Sequence, residues 1–149
     1  MDKHKILVIC GPTASGKTNL SVEMAKRSNG EIISADSMQI YKGLSIGTAK
    51  VTIDEMQSIP HHLIDFLSPQ ELFSVADFVQ YAGACIEKIA DKGKTPIIAG
   101  GTGLYISSLI NGIQFTKDDT DYALREQLQK QAAELGAQEM HRQLETVDP

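Results

Sequence analysis

The sequence predicts an α/β fold: a mostly parallel sheet with flanking helices, followed by the start of a helical insertion. Three observations carry that reading. Short apolar runs suited to buried strands alternate with longer segments whose apolar residues recur at helical spacing. A glycine-rich loop follows the first apolar run and opens a helix, at the strand end where parallel α/β sheets place their ligands. The charge pattern changes beyond the last of these alternations.

Ile6 to Cys10 is a continuous apolar run, as expected of a central parallel strand. After the loop from Gly11 to Thr18, Lys17 to Ser28 reads as a helix with Leu20 and Met24 on one face and Asn29-Gly30 as its stop. Glu31 to Ala35 is a second strand that ends at Asp36. Residues 37–73 are polar and irregular, punctuated by Pro60 and Pro69. Ser74 can cap a helix from Val75 to about Asp91, with Asp77 three positions on and Phe78, Ala82, Ile86 and Ile89 as its apolar stripe. Gly93 stops it, and Thr95 to Ala99 is a third strand. Gly100 to Gly103 then turns into a short helix through Leu104, Ile106 and Leu109. Three polar sites fall at strand ends: the loop after Cys10, Asp36, and the loop after Ala99.

The chain has 149 residues and a formal charge of −5, a length that suits one domain. Residues 1–115 carry 10 Lys+Arg and 11 Asp+Glu, whereas residues 116–149 carry 4 and 8. The polar stretch from Lys117 to Asp121 therefore reads as a boundary between a core, residues 1–115, and an insertion, residues 116–149. Tyr122 to Leu144 brings Leu124, Leu128 and Leu135 to helical spacing, as one or two helices interrupted near Gly136. No apolar run is long enough to span a bilayer. The first five residues lead into only a short apolar run, so no signal peptide is expected. Cys10 and Cys85 make neither a disulfide framework nor a zinc site, and both read as small buried hydrophobes in a cytoplasmic protein. The acidic balance argues against wrapping nucleic acid by bulk charge.

Gly11, Pro12, Thr13, Ala14, Ser15, Gly16, Lys17 and Thr18 fit G-x-x-x-x-G-K-[ST] at every fixed position, between a strand and a helix. Glycines let backbone N–H groups turn inward around a phosphate. The helix N-terminus adds partial positive charge, Lys17 adds a full one, and the Thr18 hydroxyl can ligate Mg²⁺. The motif implies a diphosphate or triphosphate without saying which. The strand from Pro96 to Ala99 ends in glycines rather than Asp, which argues against a hydrolytic motor. Asp36 is the strand-end carboxylate, placed to take a proton, to hold Mg²⁺ through water, or to cap an Asx-turn.

Six motifs then occur in order: the loop above; Asp36-Ser37-Met38-Gln39-Ile40-Tyr41-Lys42-Gly43-Leu44; Ile46-Gly-Thr-Ala-Lys50; Pro60-His-His-Leu-Ile-Asp65; Phe73-Ser-Val-Ala-Asp-Phe78; and Gly100-Gly-Thr-Gly-Leu-Tyr105. Together they resemble the N-terminal half of the tRNA dimethylallyltransferases, the bacterial-type isopentenyl transferases, densely from residue 5 to about 110. Ser45 and Val51 depart from that family's usual Asp and Pro. The resemblance implies a phosphate-loop core, incomplete here, and the beginning of a tRNA-gripping insertion. It implies transfer of a dimethylallyl group from its diphosphate to N6 of the adenosine beside the anticodon, with Mg²⁺ as cofactor. Asp36 would be the base, and Thr102 would lie near the reacting groups. Asp36, Ser37, Met38, Gln39 and Thr102 would meet the tRNA, and Gly11 to Thr18 would hold the diphosphate, or ATP in the same loop. The family's later arginines have no counterpart before Pro149, so the chain alone is expected to bind weakly or be inactive. A monomer with no membrane association is expected.

The residue chemistry is compatible with that implication. An adenine amine is a poor nucleophile that turns acidic as its C–N bond forms, so a nearby carboxylate can take the proton. The departing diphosphate gathers charge where backbone N–H groups, Lys17 and Mg²⁺ can meet it. Gln39 suits the N6/N7 edge of an extruded adenine. Rival readings are a small-molecule kinase, an enzyme that prenylates free adenine nucleotide, and a binding module. Taken without the resemblance, Gly100 to Gly103 reads first as a tight turn. His61 and His62 read as loop contacts rather than metal ligands. Tyr41 and Tyr105 suit either base stacking or the core edge, and Lys42 and Lys50 suit either phosphate contacts or solvent.

Overall fold

The computed structural model describes residues 4–113, 115 and 122–148. The chain divides into two compact units, residues 1–114 and 115–149. In the first, β1 (Leu7–Cys10), α1 (Lys17–Ser28), β2 (Gly30–Ser34), α2 (Ile53–Met56), β3 (His61–His62), α3 (Val75–Asp91), β4 (Thr95–Gly100) and α4 (Gly103–Ile110) follow in order. Every strand pairing is parallel and the sheet order is β1-β4-β2-β3. The second unit contains α5 (Tyr122–Val147), where Gly136, at φ 78° and ψ 166°, breaks the helical backbone. The polar stretch from Lys117 to Asp121 lies outside the described residues.

Alternation along the strands builds two apolar layers. Ile32 and Ile97 pack with Val22 and Ala25 of α1 on one face. Ile33 and Ile98 pack with Phe78, Ala82 and Ile89 of α3 and Tyr105 and Ile106 of α4 on the other. Phe78 and Tyr105 stack at 4.4 Å with an interplanar angle of 11°. Tyr105 is therefore a core residue. α1 buries Ser21, Val22 and Ala25; of the expected Leu20–Met24 stripe, Met24 packs against this layer, whereas Leu20 is 52% exposed. Two neighbouring faces satisfy the same helical spacing, and the small residues on this one let α1 lie close to the sheet.

α3 starts as predicted, with a reciprocal capping box between Ser74 and Asp77. Asn29 closes α1 in the left-handed region, at φ 49°. Two glycines fix how closely the strands meet. A Cβ on Gly30 would lie 2.7 Å from the Thr95 carbonyl oxygen, and one on Gly100 would lie 2.2 Å from the Ala35 carbonyl oxygen.

Three further expectations are corrected. β1 is an edge strand here, paired only with β4 among the described residues, and Cys10 at its end is exposed rather than buried. The segment 37–73 is less irregular than its polarity suggests. It contains α2, started by a Thr52–Glu55 capping box, and β3, which pairs with β2.

At the amino end of β2, Glu31 is 2% exposed. It pairs with His62 Nε2 at 2.7 Å, Lys94 at 2.8 Å and Lys92 at 3.5 Å. Burial alone would raise its pKa. Hydrogen bonds with Lys94 and His62 and the charge of Lys92 outweigh that and hold it at about 2. His62 is thus committed to a structural ion cluster.

Candidate functional site

At the carboxyl ends of the strands, the three predicted polar sites face one cleft of about 390 Å³. Thr13 to Thr18 form one wall, and Asp36, Gln39, Ala99, Gly100 and Gly101 contribute others. The loop takes its shape from two left-handed residues, Ala14 at φ 63° and Gly16 at φ 83°. Gly16 precedes the first residue of α1, so the helix opens on the cleft. Lys17 Nζ donates to the Pro12 carbonyl at 2.5 Å, which folds the side chain across its own loop. Gly11 and Pro12 shape that turn without lining the cleft.

Asp36 leaves β2 into a tight turn. Its Oδ1 accepts from Met38 N at 2.9 Å and Gln39 N at 3.2 Å. No described residue donates to Oδ2. The carboxylate thus makes the Asx-turn and also keeps an oxygen available. A second cavity, of about 630 Å³, lies beyond it, walled by Met38 and by Gly43 to Ala49. Asp36, Thr13, Thr48 and Ala49 line both cavities. Leu44 and Ile46 give the second one an apolar rim, Ile46 being 98% exposed.

Thr102 and Ser37 line neither cavity. The Thr102 hydroxyl instead accepts from Ser37 N at 3.0 Å and donates to Ser37 Oγ at 3.4 Å. Thr102 N donates to the Ala35 carbonyl at 3.1 Å. The start of α4 is therefore tied to both residues that flank Asp36. Gln39 Nε2 donates to the carbonyls of Thr48 and Ala49, at 3.1 and 3.3 Å. That occupies the amide donor the sequence reading assigned to an adenine edge and leaves Oε1 as the acceptor.

Sequence reasoning missed other parts of the site. His61 lines the first cleft. Its Nδ1 lies 2.8 Å from the Ile59 carbonyl, which can only accept, so Nδ1 carries the proton. Burial pushes the His61 pKa down, favouring the neutral ring, whose Nε2 is an acceptor. Thr48 and Ala49 were read only as part of a family motif, and Lys50 as a phosphate contact or a solvated side chain. Instead the Lys50 side chain is 6% exposed and pairs with Asp65. A lone histidine or lysine in a polar segment carries no signal of its long-range partner. Only the fold reveals these contacts.

A glycine-rich phosphate loop opening a helix on a parallel sheet, with a strand-end carboxylate across the cleft, defines a protein of the P-loop NTPase-like α/β class. Comparison with known proteins narrows that class. A profile of the IPP transferase family matches residues 39–149, and the chain belongs to that family. It is 52% identical over its whole length to a tRNA dimethylallyltransferase of Bacillus mycoides, covering 47% of that relative. It is 54% identical over 99% of its length to one from Bacillus cytotoxicus, covering 46% of it. The chain thus spans about half the length of the curated relatives it matches. Among solved structures, the full-length tRNA isopentenylpyrophosphate transferase of Bacillus halodurans superposes on 99% of the chain with a TM-score of 0.76. That match is 47% identical and covers 48% of the neighbour. A eukaryotic dimethylallyltransferase acting on tRNA matches 85% of the chain at 38% identity, also with a TM-score of 0.76, over 31% of its own length.

Proposed function

We propose that this chain forms the catalytic core of a tRNA dimethylallyltransferase, and that residues 116–149 begin its helical tRNA-binding insertion. The observation that carries the mechanism is the position of Asp36 on the shared wall of two cavities. One cavity is built on the phosphate loop and the other has an apolar rim. The first would take the diphosphate of the allylic donor, and the second an extruded adenine.

The chemistry then balances. The N6 amine attacks the allylic carbon, the C–N bond forms, and the C–O bond to the diphosphate breaks. Asp36 takes the N6 proton, for which its Oδ2 is free of partners among the described residues. Backbone N–H groups of Thr13 to Thr18 and the Lys17 ammonium meet the charge gathering on the leaving diphosphate. Lys17 would exchange its bond to the Pro12 carbonyl for one to a phosphate oxygen. Gln39 Oε1 suits the remaining N6–H. Thr102 acts by holding Ser37 and so the Asp36 turn.

The donor set also fits Mg²⁺. Thr18, whose hydroxyl is a hard oxygen donor, lines the diphosphate cleft. Mg²⁺ commonly needs one or two protein oxygens beside water and substrate phosphates. When bound, the ion would supply charge neutralisation at the diphosphate.

The test is to incubate a full-length protein carrying this sequence with labelled dimethylallyl diphosphate, Mg²⁺ and either tRNA or AMP. Label at N6 of a tRNA adenosine is expected. Label in AMP alone, or phosphate transfer from ATP to a small acceptor, would replace this reading with one of its rivals.

A further inference from the structure

Every residue from Gly43 to Ala49 lines the second cavity, and this wall contains no regular helix or strand. What gives it shape is a set of tethers at its two feet. Asp65 Oδ1 accepts from Gly43 N at 3.3 Å, at the start of the wall. The same oxygen accepts from Lys50 Nζ at 2.5 Å, at its end. Lys50 Nζ also donates to the Tyr41 carbonyl at 2.6 Å. Asp65 is itself tied to the turn below Asp36, since its N–H donates to the Gln39 carbonyl at 2.9 Å. Gln39 in turn holds the carbonyls of Thr48 and Ala49. Asp65 sits at φ 54°, in the left-handed region that Asp tolerates better than most residues. A single carboxylate thus closes the wall into a ring.

We propose that Lys50 and Asp65 are positioning residues: their ion pair fixes the wall from Gly43 to Ala49 and thereby sets the adenine against Asp36. The inference rests on the prenyl-transfer reading. It assigns Lys50, a near-buried cation in a family that acts on a polyanion, to the architecture of the pocket and not to a phosphate. The bond to Lys50 pulls the Asp65 pKa down, so the Asp65 carboxyl is ionised at neutral pH.

The test uses Lys50→Met, Asp65→Asn and the double variant in a full-length protein carrying this sequence. Asp65→Asn keeps an oxygen for Gly43 N and is the milder lesion. Each single variant should lower kcat/KM for tRNA about tenfold or more, with KM for dimethylallyl diphosphate within about twofold of wild type. The double variant should be no worse than the worse single one, because both break one clamp. Amide exchange over residues 43–49 should rise, while that of α1 stays unchanged. A Lys50→Met protein with a salt dependence weakened by about one phosphate contact, beside an Asp65→Asn protein with unchanged tRNA kinetics, would make Lys50 a tRNA ligand and overturn the clamp. Unchanged exchange in both variants would also overturn it. A wild-type protein that prenylates no tRNA, with the rise in exchange still seen in both variants, would reject the prenyl-transfer reading and leave the clamp standing.

Discussion

Glu31 and Asp36 stand at opposite ends of one strand, and their surroundings set them different tasks. Asp36 is half-buried at the cleft. Glu31 is buried among His62, Lys92 and Lys94, which hold its pKa at about 2. A carboxylate with a depressed folded-state pKa stabilises the fold above its unfolded pKa, here 4.5, and loses that contribution as pH falls towards 2. The amount at neutral pH is on the order of 3 kcal/mol. Thermal unfolding followed from pH 6 to pH 3 should therefore show wild type losing its advantage over Glu31→Gln as the medium acidifies. Parallel curves would remove the ion cluster from the account. His61 works at a higher pH. Its folded-state pKa lies below 6.5 because burial disfavours the charged ring, so its contribution is lost on acidification from 6.5 downward.

At the scale of elements, the close approach of β2 and β4 brings Asp36 beside the phosphate loop. Gly100→Ala would place a methyl group 2.2 Å from the Ala35 carbonyl oxygen, a clash that backbone movement alone can relieve. A loss of about 3 kcal/mol or more is expected in denaturant unfolding, with reduced transfer because the Asp36 turn shifts. Ser74→Ala removes one side of the α3 capping box and should cost about 1 kcal/mol without changing transfer. These two elements also show what can be read from sequence. α3 was legible in full because a capping box and a long apolar stripe are local signals. The phosphate loop and Asp36 were legible because a spacing and a strand end define them. α2 has a Thr52-x-x-Glu55 box but only one turn and no stripe. β3 has no apolar pattern at all and exists because β2 offers it an edge. The Gln39, Lys50 and Asp65 tethers depend on residues distant in sequence, which no local pattern encodes.

For the whole molecule, a net charge of −5 at first speaks against an RNA substrate. Its distribution changes that: residues 1–115 are nearly neutral, and the excess acid lies in residues 116–149. In α5, opposite charges also pair locally, as between Arg142 and Glu139 at 2.8 Å. Recognition of an extruded base depends on a pocket, whereas the tRNA backbone needs positive charge that residues 1–115 do not supply in excess. The edge position of β1 is a second whole-molecule feature. Its outer backbone groups lack a strand neighbour among the described residues, so in the isolated chain its amides should exchange faster than those of β4. Equal protection of the two strands would mean that something else covers that edge.

In the proposed mechanism one carboxylate between two cavities, Asp36, removes the proton during transfer. Asp36→Asn tests it most directly, because the amide keeps an oxygen for Met38 N and Gln39 N, so the turn can survive, while it cannot serve as the base. Single-turnover transfer from dimethylallyl diphosphate to tRNA should fall about 10²–10⁴-fold, with the affinities for both substrates within about threefold of wild type. Unchanged single-turnover transfer by the Asp36→Asn protein would contradict the account.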